Sequence, residues 1–330
     1  MTDATARTVQ TLVRAARVDG AEAPYDTLHL TLTYPAIDAH PIDKVGTLGP
    51  DRDLAPYPLV LWFPGMNVDP SYYRWLGEAV AAAGFVFVTF TNYGIVPPST
   101  YGITPGADLS LAKPDTFGTG PIGRLIAPIL DVVSTVNNEE GPLHGLIDLD
   151  RVALGGHSAG GTITLNSADA RYFPQVRAVF SYAAHTMAST MFGWPAGTVL
   201  PLSGDCPALV MSGTEDGLVA ASAKFYGEDE ERVDPIERTF DTLPDKPTAA
   251  GSWLLSVKGA NHFSIASPAD GGLPRRRDDF PSTAPAEEIR DLVSRAVTLF
   301  LQHHVRNDVD ASAALTALLD QSPLAAARHR

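Results

Sequence analysis

The sequence predicts an α/β fold, a single domain built on a mostly parallel central sheet flanked by helices. Three observations predict it. Short apolar runs alternate along the chain with helical patterns, as in repeated strand–helix units. Two of those runs, 58–63 (PLVLWF) and 85–91 (FVFVTFT), are unbroken, which is how strands buried on both faces read. The 330 residues, 45% hydrophobic and 19% charged, also hold enough apolar material for one large core.

The elements follow in order. Residues 27–34 (TLHLTLTY) alternate apolar and polar side chains, the pattern of a half-buried edge strand. Strand 58–63 leads to a helix over 71–83 that stops at Gly84, with Ser71 or Asp69 as its cap. Strand 85–91 comes next. A helix over 129–136 places Pro128 in its first turn, where the missing N–H costs little. Residues 151–154 form a short strand running into Gly155-Gly156, and 178–182, 208–211 and 253–257 are three more. A long amphipathic helix over 286–305 closes the sheet. The core so defined runs from about residue 25 to 305, with 308–330 as a C-terminal tail. Three segments exceed what the core needs. Residues 92–120 are rich in Pro, Gly, Ser and Thr, 185–205 carry Met187, Met191, Phe192 and Trp194, and 224–250 are acidic and interrupted by proline. Long excursions of this kind in a compact domain tend to be functional. The first two are expected to form the walls or lid of a pocket.

Charge and cysteine content exclude several classes. A net charge of −14, from 38 acidic and 24 basic residues, repels phosphate backbones and anionic lipid heads, so neither is an expected partner. Cys206 is the one cysteine, which rules out an intramolecular disulfide and a Cys-rich zinc site. No metal is expected. No run of about 18 apolar residues is present to span a bilayer. Met1-Thr2-Asp3-Ala4-Thr5 lacks the basic start and apolar run of a secretory signal, so a cytoplasmic location is expected.

The sharpest chemical signal is Gly156-His157-Ser158-Ala159-Gly160. It follows a strand and leads into a helical stretch, 162–168. A serine on so sharp a turn needs small neighbours two residues to either side, and Gly156 and Gly160 provide them. A serine hydroxyl is a weak nucleophile until a base takes its proton. With a nucleophile on a turn of this kind, the chain order is serine, acid, histidine. Downstream, His303 and His304 sit near the end of the last helix and are expected at the surface, and His185 comes too early to leave room for an acid. His262 follows strand 253–257 by a short loop at its carboxyl end, where ligands gather in open α/β sheets, and is the expected base. The acid is expected after strand 208–211, in Ser212-Gly213-Thr214-Glu215-Asp216-Gly217. Asp216 is preferred for its spacing, with Glu215 as the alternative. Donors for an oxyanion are expected from the N–H of Ala159 and from the loop Pro64-Gly65-Met66-Asn67. In that loop Met66 is the choice, with Gly65 and Asn67 as alternates.

These stretches resemble the α/β-hydrolase superfamily over about residues 25–305. The likeness is greatest to its dienelactone-hydrolase-like, platelet-activating-factor-acetylhydrolase-like and bacterial cutinase (polyester hydrolase) branch. The resemblance is carried by Tyr34-Pro35-Ala36, Phe63-Pro64-Gly65-Met66, Gly156 to Gly161, and Gly259-Ala260-Asn261-His262-Phe263. It implies carboxylic-ester hydrolysis through an acyl-enzyme, without metal or organic cofactor, on a small-molecule ester. Dienelactone hydrolases proper use a cysteine nucleophile where this chain has Ser158. Secreted polyester hydrolases often carry a disulfide and an export signal, and neither is visible here.

The reading is therefore a serine hydrolase cleaving esters with a small or medium hydrophobic acyl part. An acyltransferase, or an amide or carbamate hydrolase, on the same Ser158, His262 and Asp216 is the alternative. A binding module on an inactive hydrolase fold is the third, and three intact residues argue against it. Asn92, Tyr93, His185 and Trp194 are expected to contact substrate. His157 is expected to pack beneath the turn, Cys206 to be a buried inert residue, and Arg275-Arg276-Arg277 with Asp278-Asp279 to be a solvated surface loop.

Overall fold

The computed structural model describes residues 8–18, 20–23, 25–37, 48–96, 100–227, 234–269, 272–273 and 278–330. Arg275, Arg276 and Arg277 lie outside these. In chain order the elements are β1 (Val9–Arg17), β2 (Thr27–Pro35), β3 (Tyr57–Phe63), α1 (Arg74–Ala82), β4 (Val86–Thr91) and the hairpin β5 (Tyr93–Val96) with β6 (Thr100–Ile103). Then follow α2 (Ile126–Asn138), β7 (Ile147–His157), α3 (Ala159–Ser167), β8 (Val176–Tyr182) and β9 (Ala208–Gly213). The chain continues with α4 (Gly217–Ser222), α5 (Pro235–Asp241), β10 (Trp253–Val257), α6 (Ala286–His304), α7 (Val309–Gln321) and β11 (Ala325–His329).

Among the described residues, nine strands form one sheet in the order β1-β2-β4-β3-β7-β8-β9-β10-β11. The six from β4 to β10 are parallel, and the antiparallel pairs stand at its two ends. Side chains alternate across the sheet, and β3 shows how this divides the core. Leu59, Leu61 and Phe63 pack with Ile129 and Val133 of α2 and Ile163 of α3. Val60 and Trp62 pack on the other face with Leu76 and Val80 of α1 and Val293 and Phe300 of α6. The sheet is thus covered on both faces, in a mostly parallel α/β arrangement.

The ends of the sheet differ from the sequence reading. Residues 27–34 are one strand in from the edge, because β1 pairs outside β2 from Val9↔Pro35 to Arg17↔Thr27. Residues 308–330 are not a tail beyond the core. They make α7 and then β11, which pairs antiparallel with β10. The sequence Ala325–His329 has no β-branched residue, so pairing, not local propensity, makes it a strand. The helix expected over 71–83 begins as a 3₁₀ turn, Pro70–Tyr73, whose cap is Asp69: its carboxylate accepts the Ser71 N–H. Among the described residues, no helix is long and apolar enough to cross a membrane.

Candidate active site

The carboxyl ends of β3, β7, β8, β9 and β10 bring the candidate residues together. Between β7 and α3, Ser158 holds φ 52° and ψ −126°, a conformation that costs a non-glycine residue about 1–3 kcal/mol. The neighbouring glycines permit the turn by close approach. A Cβ on Gly156 would stand 2.6 Å from the backbone of Gly160, and one on Gly160 would strike the carbonyl of Phe63. The Ser158 N–H donates to the Tyr182 carbonyl at the end of β8, 3.0 Å away.

His262 is buried on the loop after β10, and its Nδ1 is 3.0 Å from both carboxylate oxygens of Asp216. Asp216 caps α4, where Oδ1 also accepts the Val219 N–H at 2.8 Å, so its orientation is fixed from two sides. Glu215 turns elsewhere: its carboxylate accepts from Thr214 Oγ1 at 3.4 Å. With Nδ1 donating to the carboxylate, the neutral imidazole carries its lone pair on Nε2.

The loop after β3 sorts its N–H groups by use. Gly65 donates to the Tyr73 hydroxyl at 3.1 Å, and Asn67 to the Ile103 carbonyl of β6 at 2.8 Å. Among the described residues no acceptor meets the N–H of Met66, and Ala159, first residue of α3, is likewise unclaimed. Met66, Ala159, Ser158 and His262 line one cavity of about 420 Å³.

Beneath this cavity lies a buried chain of hydrogen bonds. The Tyr73 hydroxyl meets His157 Nδ1 at 2.7 Å, and His157 Nε2 meets the His262 carbonyl at 3.0 Å. Only one proton arrangement serves all three links: Nε2–H donates to the carbonyl, and Nδ1 accepts from Tyr73, which accepts from Gly65. Burial, then the nearby His262, holds His157 well below the ordinary histidine range, and so neutral. Tyr182 adds a second tie, its hydroxyl donating to the Asn261 carbonyl at 2.7 Å. Tyr73 and Tyr182 carry no motif that would single them out, since both read as core aromatics.

The walls come from the long insertions. Residues 185–205 contribute Met187, Phe192 and Trp194, while Ile95, Leu109 and Ala112 come from 92–120. Trp194 fastens one insertion to the other, donating Nε1–H to the Ala112 carbonyl at 2.7 Å and taking the Phe117 ring edge-on. Met191, expected on the wall, is instead 72% exposed.

His185 and Trp194 line the cavity. Asn92 and Tyr93 do not. Asn92 is buried, with Nδ2 donating to Thr104 at the foot of the hairpin, and Tyr93 is half exposed on β5. This corrects their expected place: neither is on the cavity wall. His185 is 6% exposed. Its Nδ1 accepts the Met187 N–H at 3.2 Å, and burial lowers its pKa to about 4. Cys206 is buried as expected, its thiol pushed up to about 12 by burial. His304, expected at the surface, packs against Gly251, whose carbonyl is 3.1 Å from Nε2. Asp279, expected in a solvated loop, instead reaches the loops of Asp216 and His262.

No family model matches the chain, and no curated protein matches it. Among solved structures it is similar to a ferulic acid esterase from Streptomyces cinnamoneus. The two share 16% identity over 92% of each chain, with a TM-score of 0.57. At that identity the likeness speaks for the fold.

Proposed function

We propose that this chain is a serine esterase. The observation that carries the reading is the Asp216–His262 contact, 3.0 Å from both oxygens, beside a cavity that Ser158 also faces. Ser158 Oγ attacks the ester carbonyl while His262 Nε2 takes its proton. Asp216 holds the imidazole in that tautomer and stabilises the imidazolium. The oxyanion is received by the N–H groups of Met66 and Ala159, which have no acceptor among the described residues. His262 then protonates the departing alcohol, and water hydrolyses the acyl-enzyme by the same steps in reverse. No step calls for a metal or cofactor.

The acyl group is small or medium and hydrophobic. A cavity of about 420 Å³ with Met187, Phe192 and Trp194 on its wall suits such a group. The similar solved structure, named as a ferulic acid esterase, supports an ester as the scissile bond and makes aromatic acids worth including. The test is labelling with a fluorophosphonate probe alongside hydrolysis of acyl esters from acetyl to aromatic acids. The parent protein is expected to be labelled and active, and Ser158→Ala neither, with a loss of roughly 10⁶ in kcat. A folded parent that neither labels nor hydrolyses any ester in the series would overturn the proposal.

A further inference from the structure

We propose that Asp279 is a positioning residue, one carboxylate that locks the turn bearing Asp216 to the loop bearing His262. This rests on the esterase reading above. Asp279 Oδ1 accepts the N–H of Gly217 at 2.9 Å, and Oδ2 accepts the N–H of Phe263 at 3.4 Å. Gly217 directly follows Asp216, and Phe263 directly follows His262. The two oxygens of one side chain thus hold the two peptide groups next to the acid and the base.

The surrounding contacts fix the carboxylate in turn. Oδ1 also accepts the N–H of Phe280 at 3.1 Å, and Asn261 Nδ2 donates to the Phe280 carbonyl at 2.7 Å. Backbone lies flat against the acid turn: a Cβ on Gly217 would stand 2.7 Å from Phe280 N and 2.9 Å from the Asp278 carbonyl. Residues 278–280 therefore grip both loops, and only glycine at 217 leaves room for them.

A carboxylate is a costly choice here. Burial, then the charge of Asp216, pushes the Asp279 carboxyl above its ordinary value. An amide offers one acceptor oxygen and would set N–H donors against the second peptide N–H. Two acceptors aimed at two peptides need a carboxylate. Asp279 does not line the cavity, so its effect on the reaction passes through Asp216 and His262.

The test compares Asp279→Ala and Asp279→Asn with the parent, by kcat and KM on one ester, by thermal unfolding and by the rate of fluorophosphonate labelling. A lock of this kind predicts a fall in kcat and labelling rate of about tenfold to a hundredfold, with KM within about twofold. The same Asp279→Ala change in an Asp216→Asn background is expected to cost less than about threefold, because the pair it aligns is already broken. Should Asp279→Ala misfold, Asp279→Asn carries the same comparison. A kcat within twofold of the parent in a folded variant, or equal losses in both backgrounds, would overturn the proposal. Either result with a parent that is labelled at Ser158 leaves the esterase reading standing, whereas an unlabelled parent removes that reading first.

Discussion

Tyr73 and His157 meet at 2.7 Å inside the protein, and their contact joins the loop after β3 to the loop after β10. The N–H of Gly65 ends on the Tyr73 hydroxyl, and the far nitrogen of His157 ends on the carbonyl of His262. Tyr73→Phe removes the middle of that chain. It leaves a buried N–H and a buried imidazole nitrogen unpaired, at about 1–3 kcal/mol for such groups. Stability to urea should fall by that amount, and kcat should fall about tenfold as the Met66 N–H loses its aim. Parent-like kcat in Tyr73→Phe would show that the chain supports the fold without supporting the oxyanion loop.

Asp216→Asn should lower kcat by about 10⁴, because the amide favours the wrong tautomer of His262. Glu215→Gln should stay within about threefold of the parent, since its carboxylate turns to Thr214. The two variants assayed side by side decide the matter: a larger loss from Glu215→Gln would move the acid by one residue.

Trp194→Ala should raise KM more for longer acyl esters than for acetate. Each methylene that loses its wall is worth about 0.8 kcal/mol, or roughly fourfold in KM. The indole also latches 185–205 to Ala112 and Phe117, so a general loosening of the cavity is expected as well. Equal effects on acetate and longer esters would place Trp194 away from the acyl group.

Stability should fall as the solution is acidified from about pH 6.5 to pH 4. Burial depresses both His185 and His304 to about 4, while an unfolded chain binds those protons near 6.5. In that window the unfolded state holds more protons, so stability is full above it and is lost as the pH drops through it. Each histidine contributes a slope of up to about 1.4 kcal/mol per pH unit. Denaturant midpoints at pH 7, 6 and 5 measure the slope. His304→Gln, which sits away from the cavity, should flatten it; an unchanged slope in that variant would count against the argument.

Much of this was legible in the sequence because it lies in short local patterns. Trp253–Val257 forms as read, and 58–63 and 178–182 each gain only one or two residues. Ser158, Asp216 and His262 follow from chain order and from strand ends, and the structure brings the carboxylate of Asp216 against His262. What was hidden depends on pairing between distant residues. In β1, Arg14 and Arg17 interrupt the apolar pattern, and Ala325–His329 favours a helix taken alone. Asp279 sits beside an arginine run and looks like surface charge, yet its partners are main-chain groups some 16 and 62 residues away in sequence. Main-chain partners leave no mark in the sequence. The expectation for Asn92 and Tyr93 failed for a related reason: they flank the start of a hairpin, and a hairpin's direction is set by the loop it packs on, here through Asn67 and Ile103.

The two insertions that wall the cavity are latched to one another, and 185–205 is latched to 224–250 as well. Trp194 holds Ala112, Ser189 and Thr190 reach the Phe225 carbonyl, and Arg238 reaches that of Gly197. The reacting groups are tied to strand ends and to the residues beneath them. On the proposed esterase reading, choice of substrate and chemistry of cleavage thus reside in separate parts of the chain. Selection for a new ester can rework 92–120 and 185–205 together, as a paired unit, while Ser158, Asp216 and His262 keep their places. A library that varies one insertion alone would break the latches, and one that varies both at once would preserve the chance of re-forming them.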